Sequence, residues 1–264
     1  MMPVGTECYS LGKPPCAGMG RIWNDEDLNA AINGQVSALV FDDQGKAEIK
    51  ELLAGVAETD FEQEQLAEVL ADSDDIEDWR VGEAIAEAYL TDHRDCQFPW
   101  PDGRDERKNG SSLPGADLVG FQHDENGDRF VFGEVKTSAV TNYPPGVVYG
   151  RTGLKQQLED LRDKVKIRHT LFEYLGYRAQ NAPWLDCFKT ASKRYLKNSY
   201  DVQLFGVLVR DVYPHVDDLR VRVDKLSNGC PSGTQIELLA LYLPAGAIAN
   251  LASQVLATRE GGGS

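Results

Sequence analysis

Apolar positions along the chain follow two different periods. Between residues 43 and 90 the period is close to that of a helix: Leu52, Leu53 and Val56 recur in "GKAEIKELLAGVAE", and Phe61, Leu66, Val69 and Leu70 in "DFEQEQLAEVLA". A third helix is expected over 79–91, with Trp79, Ile85, Ala86, Tyr89 and Leu90 on its apolar side and acids ahead of it that suit the positive end of a helix dipole. The first 20 residues are rich in Gly and Pro, have no period, and read as an irregular arm. The short apolar run Ser37 to Phe41 reads as a strand.

Past residue 115 the pattern changes to strands. "ADLVGFQ" (Ala116 to Gln122) and "RFVFGEVKTS" (Arg129 to Ser138) flank "HDENGD", which predicts a β-hairpin with an Asn-Gly turn. A long helix over Leu154 to Leu175, a second over Trp184 to Leu196, the strand "VQLFGVLVR", a basic stretch over Arg220 to Lys225, the strand "IELLALYL" and a helix over Ala247 to Leu256 follow. Strand, helix, strand is a parallel step, whereas the hairpin is antiparallel. The expected fold is α/β: a mixed β-sheet flanked by helices over 111–260, with an N-terminal, mainly helical acidic lobe over 1–110 whose last helix packs on that core. "PWPDGRDERKNGSSLPG" (Pro99 to Gly115) marks the boundary or covers the site, and the "GGGS" of 261–264 reads as an appended linker.

Two charges interrupt the apolar strand. Glu134 and Lys136 are two residues apart in "FVFGEVKTSAV", so they share a face. A two-residue Asn126-Gly127 turn would place Asp117 opposite Lys136 and diagonal to Glu134, at roughly 7–8 Å between backbones. Two carboxylates at the end of an apolar sheet repel each other unless a proton or a cation lies between them. Mg²⁺ suits such a pair, because it takes few protein carboxylates and keeps several waters, and Lys136 can then orient a water or meet charge developing on a phosphate. Gln157 falls within the apolar stripe of the helix after residue 153, with Gln156 beside it.

Composition narrows the class. With 264 residues, 42% hydrophobic, the chain can bury one sizeable core. No apolar run approaches a membrane span and the start lacks a signal-peptide pattern, so a cytoplasmic protein without membrane attachment is expected. Five cysteines without CxxC spacing read as reduced thiols, not a zinc site. The net charge is -15, but residues 1–100 carry 22 acids against 6 bases, while the remainder carries 20 against 21. Such an acidic run reads as a solvated helical face, or as a surface that docks a partner or shields the rest from nucleic acid. Lys155, Arg162, Lys164, Lys166, Arg168, Lys189, Lys193, Arg194 and Lys197 are the side chains available to track a phosphate backbone.

"GAD" at Gly115 to Asp117, followed after a short hairpin by "GEVK" at Gly133 to Lys136, resembles the signature of the PD-(D/E)xK nuclease superfamily. The resemblance covers about residues 79–210 and implies a restriction-endonuclease-like core hydrolysing DNA phosphodiester bonds with Mg²⁺, for which Mn²⁺ substitutes. It implies Asp117, Glu134 and the Val135 carbonyl as metal ligands and Lys136 as the residue positioning water. It also implies an acid on the preceding helix, which is Glu83, with Glu87 one turn later as the alternative, and a glutamine near the scissile phosphate, Gln157. The strand that such cores carry ahead of the Asp has only "CQFPW" to form it. "LPGADLVGF" and "FGEVKTS" are further similar to nuclease subunits of bacterial anti-phage systems such as Hachiman, which implies a helicase or other ATPase partner. The alternatives are a non-catalytic binding subunit with the same fold and a restriction-type endonuclease acting alone; oligomeric state is left open.

Overall fold

The computed structural model describes residues 1–101, 104 and 115–260. Most of the Pro99 to Gly115 loop and the 261–264 tail therefore lie outside the described residues. A seven-stranded mixed sheet runs in the order β1-β2-β7-β6-β5-β4-β3, formed by β1 (Thr6–Lys13), β2 (Cys16–Ile22), β3 (Cys96–Gln97), β4 (Leu118–Asp124), β5 (Gly127–Ser138), β6 (Val202–Arg210) and β7 (Gln235–Tyr242). β2, β7, β6 and β5 run parallel to one another, whereas β1 pairs antiparallel with β2, β4 with β5 and β3 with β4. The α/β architecture with helices flanking a mixed sheet is the one expected.

Helices cover both faces. α1 (Asp25–Ala31), α2 (Ser37–Val40), α5 (Asp78–His93) and α10 (Leu251–Glu260) share one core with Val131, Val135, Val207 and Val209. α6 (Leu154–Asp163), α7 (Val165–Arg178), α8 (Leu185–Lys197) and α9 (Arg220–Ser227) share the other with Phe130, Phe132, Leu204 and Leu208. That alternation along β5 and β6 is the period of two expected of a strand buried on both faces. Two further helices, α3 (Asp43–Leu52) and α4 (Asp60–Val69), stand apart, and α4 buries none of its residues. Among the described residues no helix is long and apolar enough to cross a membrane, and all five cysteines are free thiols.

Several expected elements are corrected. The first 20 residues are a β-hairpin, not an irregular arm, and β2 lies between β1 and β7 inside the sheet. Its glycines make room for neighbours: a Cβ on Gly18 would lie 2.7 Å from Val223 Cγ2, and one on Gly20 would lie 2.5 Å from Tyr9 Cε1. The sheet therefore draws on residues from both sides of the boundary placed near 110. Ser37 to Phe41 belongs to a helix, which follows α1 across a kink where Gly34 leaves helical geometry at φ -106°, ψ -120°; the Asn24–Asp27 capping box starts α1. The single helix expected over 154–175 is broken at Lys164, whose ψ is 84°. The fully buried Arg168 donates to the Leu161 and Arg162 carbonyls that the break leaves open. β3 supplies the strand that "CQFPW" was required to form, only two residues long and on the sheet edge.

Candidate active site

The site lies at the C-terminal end of β5. Phe130, Phe132, Glu134 and Lys136 alternate onto the α6 side of the sheet, where Glu134 is level with Gly206 of β6. A Cβ on Gly206 would lie 2.6 Å from Leu158 Cδ1 and 3.5 Å from Leu154 Cδ1. The bare backbone at that position lets α6 sit low on the sheet, and Glu134 beside it is only 1% exposed.

Asp117 comes from the residue just before β4. The ladder runs from Asp124↔Gly127 to Leu118↔Gly133, so one step beyond its end Asp117 is level with Glu134, not with Lys136. The cause is the turn: Glu125 and Asn126 form the loop, Asp124 Oδ1 accepts the Asn126 N–H at 2.7 Å, and Gly127 takes φ +90° as the first residue of β5. A shift of two leaves the faces unchanged, so Asp117, Glu134 and Lys136 still share one side. Asp117 Oδ2 accepts the Val135 N–H at 2.8 Å, which fixes the carboxylate against β5. Gly115 makes the approach possible at φ +136°, where a Cβ would lie 2.9 Å from Leu171 Cδ2.

Electrostatics follow from burial. Lys136 Nζ donates to Glu134 Oε1, while the buried Oε2 has no hydrogen-bond partner. Burial and the neighbouring Asp117 charge push the Glu134 carboxyl up to about 8, against the opposing pull of Lys136. Burial alone would lower the Lys136 ammonium, but Glu134, Asp117 and Glu83 outweigh it and hold the group above an ordinary lysine. A neutral Glu134 can share its proton with Asp117, and that contact favours the protonated form too. The orphaned oxygen thus calls for either a proton or a cation.

Glu83 reaches the site from the other face. Gly82 brings α5 against β5, since a Cβ there would lie 2.0 Å from Thr137 Oγ1. Glu83, 3.3 Å from Arg80 Nη1, lines a cleft at the sheet end together with Arg80, Glu87, Trp100 and Asp117. Both candidate helix acids face this cleft, and Glu83 is the one whose charge acts on Lys136. Asp117, Glu134 and Lys136 form one cluster with Glu83 at its margin. Among the described residues no three His, Cys, Asp or Glu side chains are gathered closely enough to enclose an ion. The remaining donor set nevertheless fits Mg²⁺: two level carboxylates, one with an unpartnered buried oxygen, suffice for an ion that keeps several waters.

Gln157 occupies the first turn of α6, half-buried, with its Oε1 out of solvent and unpartnered. Gln156 instead donates along the helix to Asp160 Oδ1 at 3.0 Å. Most of the basic side chains that could have tracked a phosphate backbone are occupied: Lys155 by Glu159, Lys164 by Asp160, Lys189 by Asp186, and Arg194 by Asp124 and Asp201. Arg162 pairs with Asp163 and the Leu226 carbonyl, and Arg168 is fully buried.

Three supporting features escaped the sequence reading. Arg80 precedes Glu83 by three residues, a spacing that signals a helical ion pair. Gly206 interrupts an apolar strand, the usual sign of a close approach. Arg210 and Asp218, both fully buried, pair at 3.1 Å, and Arg210 also holds the Val140 and Asn142 carbonyls of the loop that leaves β5. Asp218 Oδ2 accepts from Tyr242 at 2.8 Å, and the Tyr242 hydroxyl meets that of Tyr9 at 2.8 Å. This chain ties the N-terminal hairpin to the site loop, and nothing local in the sequence signals it. No protein-family model matches the chain, and no curated protein is significantly similar to it.

Proposed function

We propose that the chain is a Mg²⁺-dependent nuclease that hydrolyses DNA phosphodiester bonds, with Mn²⁺ able to substitute. The observation that carries this reading is the buried Glu134 carboxylate, whose Oε2 meets no donor while Asp117 stands level with it and Lys136 holds Oε1. Burying Glu134 beside a second, half-buried acid is costly, and a purely structural role recovers little of that cost.

Asp117 and Glu134 would hold the ion, with the Val135 carbonyl as a further ligand and Glu83 supporting from the cleft margin. When bound, the ion supplies polarisation of the scissile phosphate and acidification of a water. Lys136, aimed along the strand by Glu134, hydrogen-bonds the attacking water and offsets charge growing on the phosphate oxygens. The water oxygen bonds to phosphorus as the bond to the leaving sugar oxygen breaks; one proton passes to solvent and the leaving oxygen takes one up. Gln157 has a free amide oxygen and positions rather than reacts.

With its basic side chains largely occupied, the chain is assigned a helicase or other ATPase partner that brings DNA to it, as the effector of an anti-phage system such as Hachiman. The test is Mg²⁺- or Mn²⁺-dependent cleavage of plasmid and linear DNA, with and without that partner, by wild type, Asp117→Ala and Lys136→Ala. Equal cleavage by all three would end the nuclease reading. A second reading, a binding subunit without catalysis, is favoured by the Lys136–Glu134 ion pair, which satisfies part of the cluster without any ion. Wild type that never cuts, in either setting, would select it.

A further inference from the structure

The α3–α4 hairpin leaves its apolar side chains in water. Leu52 is 78% exposed, Val56 68%, Phe61 69% and Val69 78%, although their helical spacing predicts a buried stripe. Leu53, Val56, Ala57, Phe61 and Leu66 line one groove, which continues past Ala57 and Leu66 toward Ala54 and Leu70. Contiguous apolar surface of this kind marks an interaction site. Ion pairs tie the two helices to each other and to the body: Lys46 of α3 pairs with Asp72 just past α4, while Arg259 pairs with Asp43 and Asp72 and Arg104 with Asp42 at 2.8 Å.

Charge selects the occupant. From Asp43 to Leu70 the chain carries eight acids and two lysines; of these Lys46, Lys50 and Glu62 line the groove itself, and Lys46 is already taken by Asp72. A second copy would set acid against acid, and an anionic lipid surface or a nucleic acid would be repelled. A helix with apolar residues at i, i+3, i+4 and i+7 and Lys or Arg beside them matches the apolar groove and the net negative charge of the two helices that form it. We propose that the α3–α4 hairpin docks a basic amphipathic helix of a partner protein. The position is consequential, because Leu39, Val40 and Arg80 line both the candidate cleft and the adjoining groove that reaches Asp42 and Lys46 at the base of α3. The docking site does not depend on the nuclease reading.

The probe is a synthetic helical peptide with Leu at i, i+3, i+4 and i+7 and Lys elsewhere, titrated against the full chain. Its controls are the same peptide with Glu for Lys and a scrambled one that is not amphipathic. Expected are binding of the Leu/Lys peptide alone, weakening of at least tenfold in Val56→Asp and Phe61→Asp, and loss of affinity with added salt. Both substituted positions are exposed, so circular dichroism and the unfolding midpoint should match wild type, and any basal DNA cleavage should persist. The proposal is overturned if the Leu/Lys peptide does not bind or the Leu/Glu peptide binds as well. It is also overturned if the two variants bind like wild type, or if wild type sediments as a dimer that Phe61→Asp dissociates.

Discussion

Asp117 and Glu134 stand level on two strands of one hairpin, and Asp117 is held there by the Val135 amide at 2.8 Å, a bond made by the backbone next to the acid it repels. The strand that carries Glu134 also immobilises Asp117. The pair cannot relieve its repulsion by swinging apart, which leaves protonation or a cation as the remedy.

That constraint sets a pH dependence for stability. Glu134 keeps its proton in the folded chain up to about 8, against an ordinary 4.5, so between these values the native state binds a proton that the unfolded state has lost. Stability present at low pH is therefore lost as pH rises through that window, by on the order of a few kcal/mol. Urea unfolding in EDTA should show a midpoint that falls from pH 5 to pH 8.5 in wild type, relative to a flatter profile in Glu134→Gln. Parallel profiles would contradict a raised Glu134.

At the proposed metal site, proton and ion would compete for one oxygen, so divalent binding should strengthen over the same interval. Mn²⁺ should raise the unfolding midpoint more at pH 8.5 than at pH 6, and Asp117→Ala or Glu134→Gln should abolish the rise. This readout needs no DNA.

On the proposed nuclease reading, Lys136→Ala should lower DNA cleavage by roughly 10²- to 10³-fold while Mn²⁺ still stabilises the protein, because the ammonium would act on water and phosphate. Glu83→Gln, at the margin, should cost about tenfold. If Lys136→Ala loses Mn²⁺ stabilisation along with cleavage, its part is to hold Glu134.

How much of this could be read from the chain depended on which rule each element obeyed. The cluster of Asp117, Glu134 and Lys136 was legible because side-chain period is insensitive to a register error of two, even though Asn126-Gly127 pointed to the wrong loop. The first hairpin was hidden because Gly18 and Gly20 read as loop residues, when they admit Val223 and Tyr9. The break at Lys164 carries no Pro or Gly and depends on Arg168, a residue farther along. In α3 and α4 the period gave the helices correctly and their burial wrongly, since periodicity cannot say what lies against an apolar side.

Gly206→Ala should test how Glu134 is sealed. The added methyl would lie 2.6 Å from Leu158 and Leu238, an overpacking that costs about 1–3 kcal/mol. Lifting α6 would wet Glu134, so the fall in stability between pH 5 and 8.5 should be shallower than in wild type.

Asp218→Asn should cost about 3–5 kcal/mol by leaving Arg210 buried without its counter-charge. Proteolysis at residues 139–145 should quicken with it, because Arg210 holds the Val140 and Asn142 carbonyls. Cleavage rates unchanged there would confine the pair to the sheet core.

The seat of β2 beside β7 has a consequence for synthesis. Cys16 is opposite Ile236, so β2 must wait about 220 residues for the neighbour that receives it. At translation speeds of about 5–20 residues per second that wait is on the order of 10 to 45 seconds. Throughout it, the growing chain has an uncovered edge that no local contact can close. Ribosome-bound intermediates should accordingly expose the β1–β2 hairpin to chaperones until the last strand emerges.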